Sequence, residues 1–208
     1  MAIAMGHGYA YEDEGDAKYC YAGTNVLKNK LHIRDFSELQ KAEREYSAAR
    51  ESEILLNGLD GDFSLKYLCK IHKYLFQDVY SWAGKLRTVD VSKGTYFCRA
   101  QFIADQFNKL YQELKSENFL RDYASSTRMA DRLAYYLGEI NMIHPFREGN
   151  GRTQRVYIEL LCRQNGTFEL DFTLISKEEM IRACALSAQG GNSILDELMW
   201  RSIVKKRN

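Results

Sequence analysis

Proline is almost absent: Pro145 is the only one in 208 residues. That excludes Pro-rich linkers and recognition segments. Cysteine is sparse and scattered, with Cys20, Cys69, Cys98, Cys162 and Cys184 forming no CxxC pair and an odd total. This argues against a zinc ribbon and suits buried free thiols in a reducing, cytoplasmic setting. No apolar run approaches the roughly 18 residues of a membrane span, so no membrane partner is expected. The apolar start Met1 to Met5 is too short for a signal-peptide core and lacks a basic leader. Charge excess is missing too. Lys plus Arg is 29 and Asp plus Glu is 28, a net charge of +1. A chain that wraps nucleic acid or lies on an anionic bilayer is usually far more basic. The basic tail Arg201 to Arg207 is short and reads as a solvated helix end. Internal repeats, low-complexity tracts and Gly/Ser linkers are also absent.

What is present is the material of a full core: 45% apolar and 12% aromatic residues. The first 25 residues are Tyr-, Gly- and acid-rich without a period and read as an irregular arm docking on a single domain, 26–208. Asp35-Phe-Ser-Glu38 has capping-box spacing and opens a charged helix to about Leu56. Ser64 to Phe76 carries Leu65, Leu68, Ile71, Leu75 and Phe76 at core spacing. A turn is expected near Trp82-Ala-Gly84. Thr88 to Cys98 has β-formers on both sides of Lys93-Gly94 and reads as a β-hairpin. Helices follow over about 101–116, 128–143 and 151–164. Another opens at the capping box Ser176-Lys-Glu-Glu179, and a last one starts near Asn192. The fold class is all-α, a helical bundle with one short β-hairpin.

Chemistry concentrates in His144-Pro-Phe-Arg-Glu-Gly-Asn-Gly-Arg-Thr-Gln-Arg155. The helix before it ends at His144, because the residue before proline is biased out of the α region. The helix after it starts from Gly-Asn-Gly. Free N–H groups gather at that N-terminus, where the helix dipole favours an anion. Gly149 and Gly151 permit the backbone angles that turn N–H groups toward one point. Arg152 and Arg155 share a face of the first turn. Two guanidinium forks beside an N–H nest suit a polyphosphate. Glu148 would repel phosphates unless a cation intervenes, and Mg²⁺ is the usual one. His144 is the obvious general base. Each piece has an ordinary reading alone. A lone His is usually structural or merely exposed, and His7, His32 and His72 are read so. The combination within a dozen residues is what singles the segment out.

This segment matches the signature HPFx[D/E]GNGRxxR of the Fic (filamentation induced by cAMP) family at every specified position. Asp78-Val-Tyr-Ser-Trp-Ala-Gly-Lys-Leu-Arg87 and the following hairpin resemble the family's pre-flap helix and flap. Tyr21-Ala-Gly-Thr-Asn-Val-Leu-Lys-Asn-Lys30 resembles the start of stand-alone bacterial Fic proteins and of Fic toxins and effectors. The resemblance covers about residues 20–205. It implies a Fic fold and transfer of AMP from ATP to a protein hydroxyl, releasing pyrophosphate. By position, His144 would deprotonate the target Tyr, Thr or Ser, and Glu148 would hold the Mg²⁺ bridging the α- and β-phosphates. Gly149, Asn150 and Gly151 would form the anion hole, with Arg152 on the phosphates and Arg155 near the γ-phosphate. Val89, Val91, Lys93, Gly94 and Thr95 would form the flap that docks the target by strand pairing. Lys93 or Thr95 would touch ATP, and Asn192 would line the adenine pocket. The setting implied is the bacterial cytoplasm, or a host cell for a secreted effector.

Many Fic proteins are held inactive by a helix bearing [S/T]xxxE[G/N], whose Glu pairs with the second motif Arg, here Arg155. Two near matches occur: Ser47 to Glu51 followed by Ser52, and Ser193 to Glu197 followed by Leu198. Neither is complete, which favours control by a separate small antitoxin-like protein or no such control. Two further readings stand beside AMP transfer: transfer of another phosphate-containing group, and an inactive nucleotide-binding scaffold. The intact Gly-Asn-Gly-Arg stretch argues against phosphate transfer. A retired site would have lost His144, Glu148 or an Arg.

Overall fold

The computed structural model describes residues 16–92, 97–191 and 193–206. The axis of the fold is a helix, α5 (Ser126–Ile143), capped by Ser125, whose side chain accepts the Arg128 N–H. Met129, Leu133, Tyr136, Leu137 and Ile140 are all buried on it. Apolar residues on several faces require cover on several sides. That cover comes from α4 (Ile103–Ser116), α6 (Asn150–Arg163), α7 (Lys177–Ser187) and α8 (Ser193–Ser202). α4 contributes one stripe, Ile103, Phe107, Leu110 and Leu114. α3 (Leu65–Phe76), capped by Ser64, packs on α4 and α6. These helices lie within about two residues of the positions expected from periodicity.

The helix α2 (Phe36–Asn57) behaves differently. It packs on α3 and α6 but buries only Leu39, Ser47 and Ile54. Between the two apolar anchors its inner stripe is polar. The arm expected at the N-terminus includes a short helix, α1 (Asp16–Tyr19), and an isolated bridge between Cys20 and Leu27. Tyr19, Cys20, Val26 and Leu27 are buried in the same core as the helices, so the arm is docked from residue 19 onward. No helix among the described residues is long and apolar enough to cross a membrane.

The one two-stranded sheet among the described residues pairs β1 (Phe168–Leu170) with β2 (Ile203–Lys205), antiparallel, with Phe168 opposite Lys205. The last helix ends at Ser202, within the basic tail as expected; what the sequence did not announce is that the β-branched pair Ile203-Val204 then extends to meet β1. In the segment read as a hairpin, Phe97 N–H reaches Val91 O at 3.5 Å, so its two sides converge. Its tip, with Lys93, Gly94 and Thr95, and also His7 and Asn192, lie outside the described residues.

Of the histidines read as structural, His32 is exposed and His72, on α3, is fully buried. His72 Nδ1 accepts the Gly84 N–H at 2.8 Å, which leaves Nε2 to donate to Glu148 O at 3.0 Å. Its ring lies nearly parallel to Phe146, with centroids 3.9 Å apart. The neutral ring thus pins the turn at Gly84 to the loop between α5 and α6. Burial holds the imidazole down at about 4. An unfolded His titrates near 6.5, so between these values the unfolded chain binds more protons than the native one. Stability should therefore fall as pH drops from about 6.5 to 4, by as much as about 3 kcal/mol from this residue alone. Urea unfolding across that window should show a shallower pH dependence for His72→Asn than for the parent. Equal slopes would contradict this assignment.

Candidate active site

The site grows from the junction of α5 and α6. α5 closes on His144, which takes a left-handed backbone (φ 46°, ψ 60°) just before Pro145. α6 opens on Gly149, also left-handed at φ 80°. A Cβ at Gly149 would stand 2.4 Å from the Phe76 ring, so glycine is required there twice over. Gly151 differs from the expectation. It sits inside α6 with an ordinary helical backbone, and an added Cβ would meet only Arg155 Nη1, at 3.6 Å. Its missing side chain leaves room at the cavity wall rather than permitting a special angle.

The carbonyls of the junction are turned inward and consumed. Ile143 O and His144 O accept from Arg87 Nη2 and Nε at 3.3 and 2.7 Å, and Pro145 O accepts the Arg87 N–H at 2.9 Å. Asn150 closes the loop on itself: Nδ2 donates to Phe146 O at 2.7 Å and Oδ1 accepts the Phe146 N–H at 2.9 Å. The Asn150 side chain is therefore committed to the loop, and only its backbone N–H can serve an anion. The first helical bond of α6 is Thr153 N–H to Gly149 O. Among the described residues the N–H groups of Asn150, Gly151 and Arg152 find no main-chain acceptor. The Gly149 N–H is taken by the Glu148 carboxylate at 2.9 Å.

His144 is buried, 5% exposed. Its Nδ1 lies 3.2 Å from Asn141 O, a contact that makes Nδ1 the protonated nitrogen and puts the lone pair on Nε2. Phe97 stacks on the ring, with centroids 3.8 Å apart and 13° between planes. Beside it a cavity of about 350 Å³ is lined by Phe97, Asn141, His144, Gly151, Gln154 and Arg155 on one side and by α7, including Ile181, Cys184 and Ala185, on the other. That is the size range of small-ligand sites. Gln154 is 4% exposed and its Oε1 finds no partner, an acceptor in a largely apolar wall.

Both arginines reach the site, in different states. Arg152 Nη1 donates to Ser47 Oγ and stands 3.7 Å from Glu43 Oε1, with its guanidinium over the Phe76 ring. Arg155 lines the cavity, and burial lowers its pKa while the charge of Glu51 raises it. Among the described residues no carboxylate lies within 4 Å of Arg155. The inner stripe of α2 thus delivers Glu43, Ser47 and Glu51 to this corner. Burial, then the charge of Glu148, pushes Glu43 up to about 7, and Tyr80 OH donates to it at 2.6 Å. Burial likewise raises Glu51, against the pull of Arg155 and Arg152.

The expected residues His144, Glu148, Gly149, Asn150, Gly151, Arg152 and Arg155 are therefore brought together. Val89 O accepts from Arg87 and Val91 is buried; neither lines the cavity. Lys93, Gly94, Thr95 and Asn192 lie outside the described residues. Sequence reasoning gave no role to Arg87, Phe97, Gln154 or Glu43. A lone Arg between apolar Leu86 and Val89 was the one signal available for Arg87. Of the two near matches to an inhibitory helix, Ser47 to Glu51 faces the arginines, whereas Glu197 is exposed on α8, where its charge acts on Arg201. No group of three or more His, Cys, Asp or Glu side chains suited to a metal occurs among the described residues.

Residues 62–162 match the Fic/DOC family. The probable protein adenylyltransferase Fic of Salmonella typhimurium is 37% identical over 195 residues, 93% of this chain and 96% of that protein. The protein adenylyltransferase VbhT of Bartonella schoenbuchensis is 36% identical over 196 residues, and this chain spans only 40% of its length. Among solved structures, the Fic domain of a putative cell filamentation protein from Bartonella quintana, with bound ADP, superposes with a TM-score of 0.87 at 28% identity. It covers 93% of this chain and 97% of that one. BepC, a VirB-translocated effector of Bartonella tribocorum with bound AMPPNP, gives 0.85 at 25% identity, covering 93% and 99%. With relatives this similar over nearly its whole length, the chain belongs to the Fic/DOC family.

Proposed function

We propose that this chain is a protein adenylyltransferase, moving AMP from ATP to a Tyr, Thr or Ser hydroxyl of a target protein. The observation that carries the reading is the His144 ring, held at Nδ1 by Asn141 O and lining one cavity with Gly151 at the start of α6 and with Arg155. Named relatives with that activity support it. His144 Nε2 takes the proton as the hydroxyl oxygen attacks the α-phosphorus. The bond to the bridging oxygen breaks and pyrophosphate leaves. The N–H groups of Gly149, Asn150 and Gly151 meet the charge that develops on the α-phosphate. Arg152 holds the phosphates and Arg155 the γ-phosphate. The adenine occupies the cavity against α7, near Asn192. There Gln154 Oε1 accepts from its exocyclic amine. Lys93 or Thr95 at the flap tip contacts ATP, and the flap, Val89 to Thr95, docks the target.

The donors present fit Mg²⁺ in one way. Glu148 offers a hard oxygen, and phosphate oxygens must complete the shell. Bound there, Mg²⁺ would supply neutralisation of phosphate charge. Glu148 is the residue that would hold the ion; its carboxylate accepts the Gly149 N–H here, and that donor would be open to phosphate once the carboxylate turned to a cation.

Control follows from α2. Glu51 pulls on Arg155 in competition with the γ-phosphate, and a separate antitoxin-like protein is the other route. The effector identity of the Bartonella neighbours supports action in a host cell as an alternative to the bacterial cytoplasm.

Incubation with α-labelled and γ-labelled ATP separates the chemistries. Lysate proteins should take up α-label and no γ-label; γ-label on protein would show phosphate transfer instead. His144→Ala should lose at least about a hundredfold in labelling while its Tm falls by no more than about 4 °C. Labelling that survives in His144→Ala removes the base. Glu51→Ala should raise the labelling rate and tighten ATP binding, and unchanged values would remove Glu51 from control. Gln154→Leu should weaken ATP about tenfold and GTP little; equal weakening of both would contradict base recognition.

A further inference from the structure

Arg87 is among the most deeply buried side chains in the protein, with no exposed side-chain area. Its nearest carboxylate, Asp90, is 3.8 Å away and half exposed. A cation so placed is costly unless its donors are all used. They are used on main-chain carbonyls of two separate segments. Nε and Nη2 go to His144 O and Ile143 O, and the backbone N–H goes to Pro145 O. Nη1 goes to Val89 O at 2.8 Å, and Nη2 also reaches Cys98 O. Val89 and Cys98 lie on the outgoing and returning sides of the flap, and residues 143–145 carry the base.

Two contacts run parallel to this one. Cys98 N–H donates to Met142 O at 2.9 Å, and the Phe97 ring lies on His144. The returning side of the flap is therefore attached to the last turn of α5 at successive residues. The Arg87 side chain touches both sides of the flap and the carbonyl of the base residue itself.

We propose that Arg87 is the positioning residue for AMP transfer: it fixes the flap, and with it the docked hydroxyl, at a set distance from His144. This rests on reading 88–98 as the segment that docks the target. An error of about 1 Å in such a placement can cost a hundredfold in rate. Lysine cannot replace it, because one ammonium has three donors at a single point while the carbonyls surround a planar fork.

The test compares the full chain with Arg87→Lys. With α-labelled ATP and lysate proteins as acceptors, the variant should label at least about tenfold more slowly, while its ATP affinity by calorimetry stays within about twofold. Nitrogen NMR of the histidines, with His144 assigned through His144→Ala, should show the Nδ1-protonated ring in the parent and a tautomer mixture in the variant. A variant with parental His144 signals and parental rate overturns the proposal. So does a rate that falls only in step with ATP affinity and folded fraction, which is what a merely structural residue would give. Hydrogen exchange in the unmodified protein guards against a variant that does not fold. The Arg87 and Cys98 amides, bonded to Pro145 O and Met142 O, should open together, with protection factors within about tenfold. Cys98 opening far more readily than Arg87 would show flap and base uncoupled. A parent that labels nothing would count against the proposed activity, and the NMR and exchange results would still decide the role of Arg87.

Discussion

At the junction of α5 and α6 the backbone is polarised in one direction. The carbonyls of residues 143–146 and 148 are captured from behind by Arg87, Asn150 and His72. The N–H groups that open α6 are left facing a cavity without main-chain partners. A helix N-terminus carries partial positive charge, and two arginines on its first turn add to it. Such a concentration is unfavourable until an anion arrives. The polyphosphate binding proposed for the site rests on this one-sided use of the main chain.

The positive corner is also moderated. α2 brings Glu43, Ser47 and Glu51 to the same two arginines. Arg152 has close partners already, while Arg155 is half-buried and feels Glu51 only at longer range. The asymmetry suits a site in which one arginine is kept in place by the protein and the other is completed by ligand.

The candidate site was legible because it lies in twelve consecutive residues, where spacing alone puts His144, Glu148 and the arginine pair at one helix start. Helix positions were legible from apolar periodicity and from the caps Asp35 and Ser176. The rest needed tertiary information. The clash of a Gly149 Cβ with Phe76 depends on how α3 meets α6. The stripe Glu43, Ser47, Glu51 looks like any solvated helix face until α2 is laid on α6. Arg87 reads as one charge in a turn, because its partners are carbonyls that no sequence displays. β2 pairs with a strand more than thirty residues away, so no local turn announces it. The reason given for Gly151 failed because it assumed a turn where α6 had already begun.

The most direct measurement is titration calorimetry of ATP with Mg²⁺ into the parent chain, Arg152→Ala and Arg155→Ala. Binding at the start of α6 should give a Kd raised at least about tenfold in each variant, with GTP bound less tightly than ATP by the parent. ATP binding that is unaffected by loss of either guanidinium would place the nucleotide elsewhere and contradict the assignment of this junction as the active site.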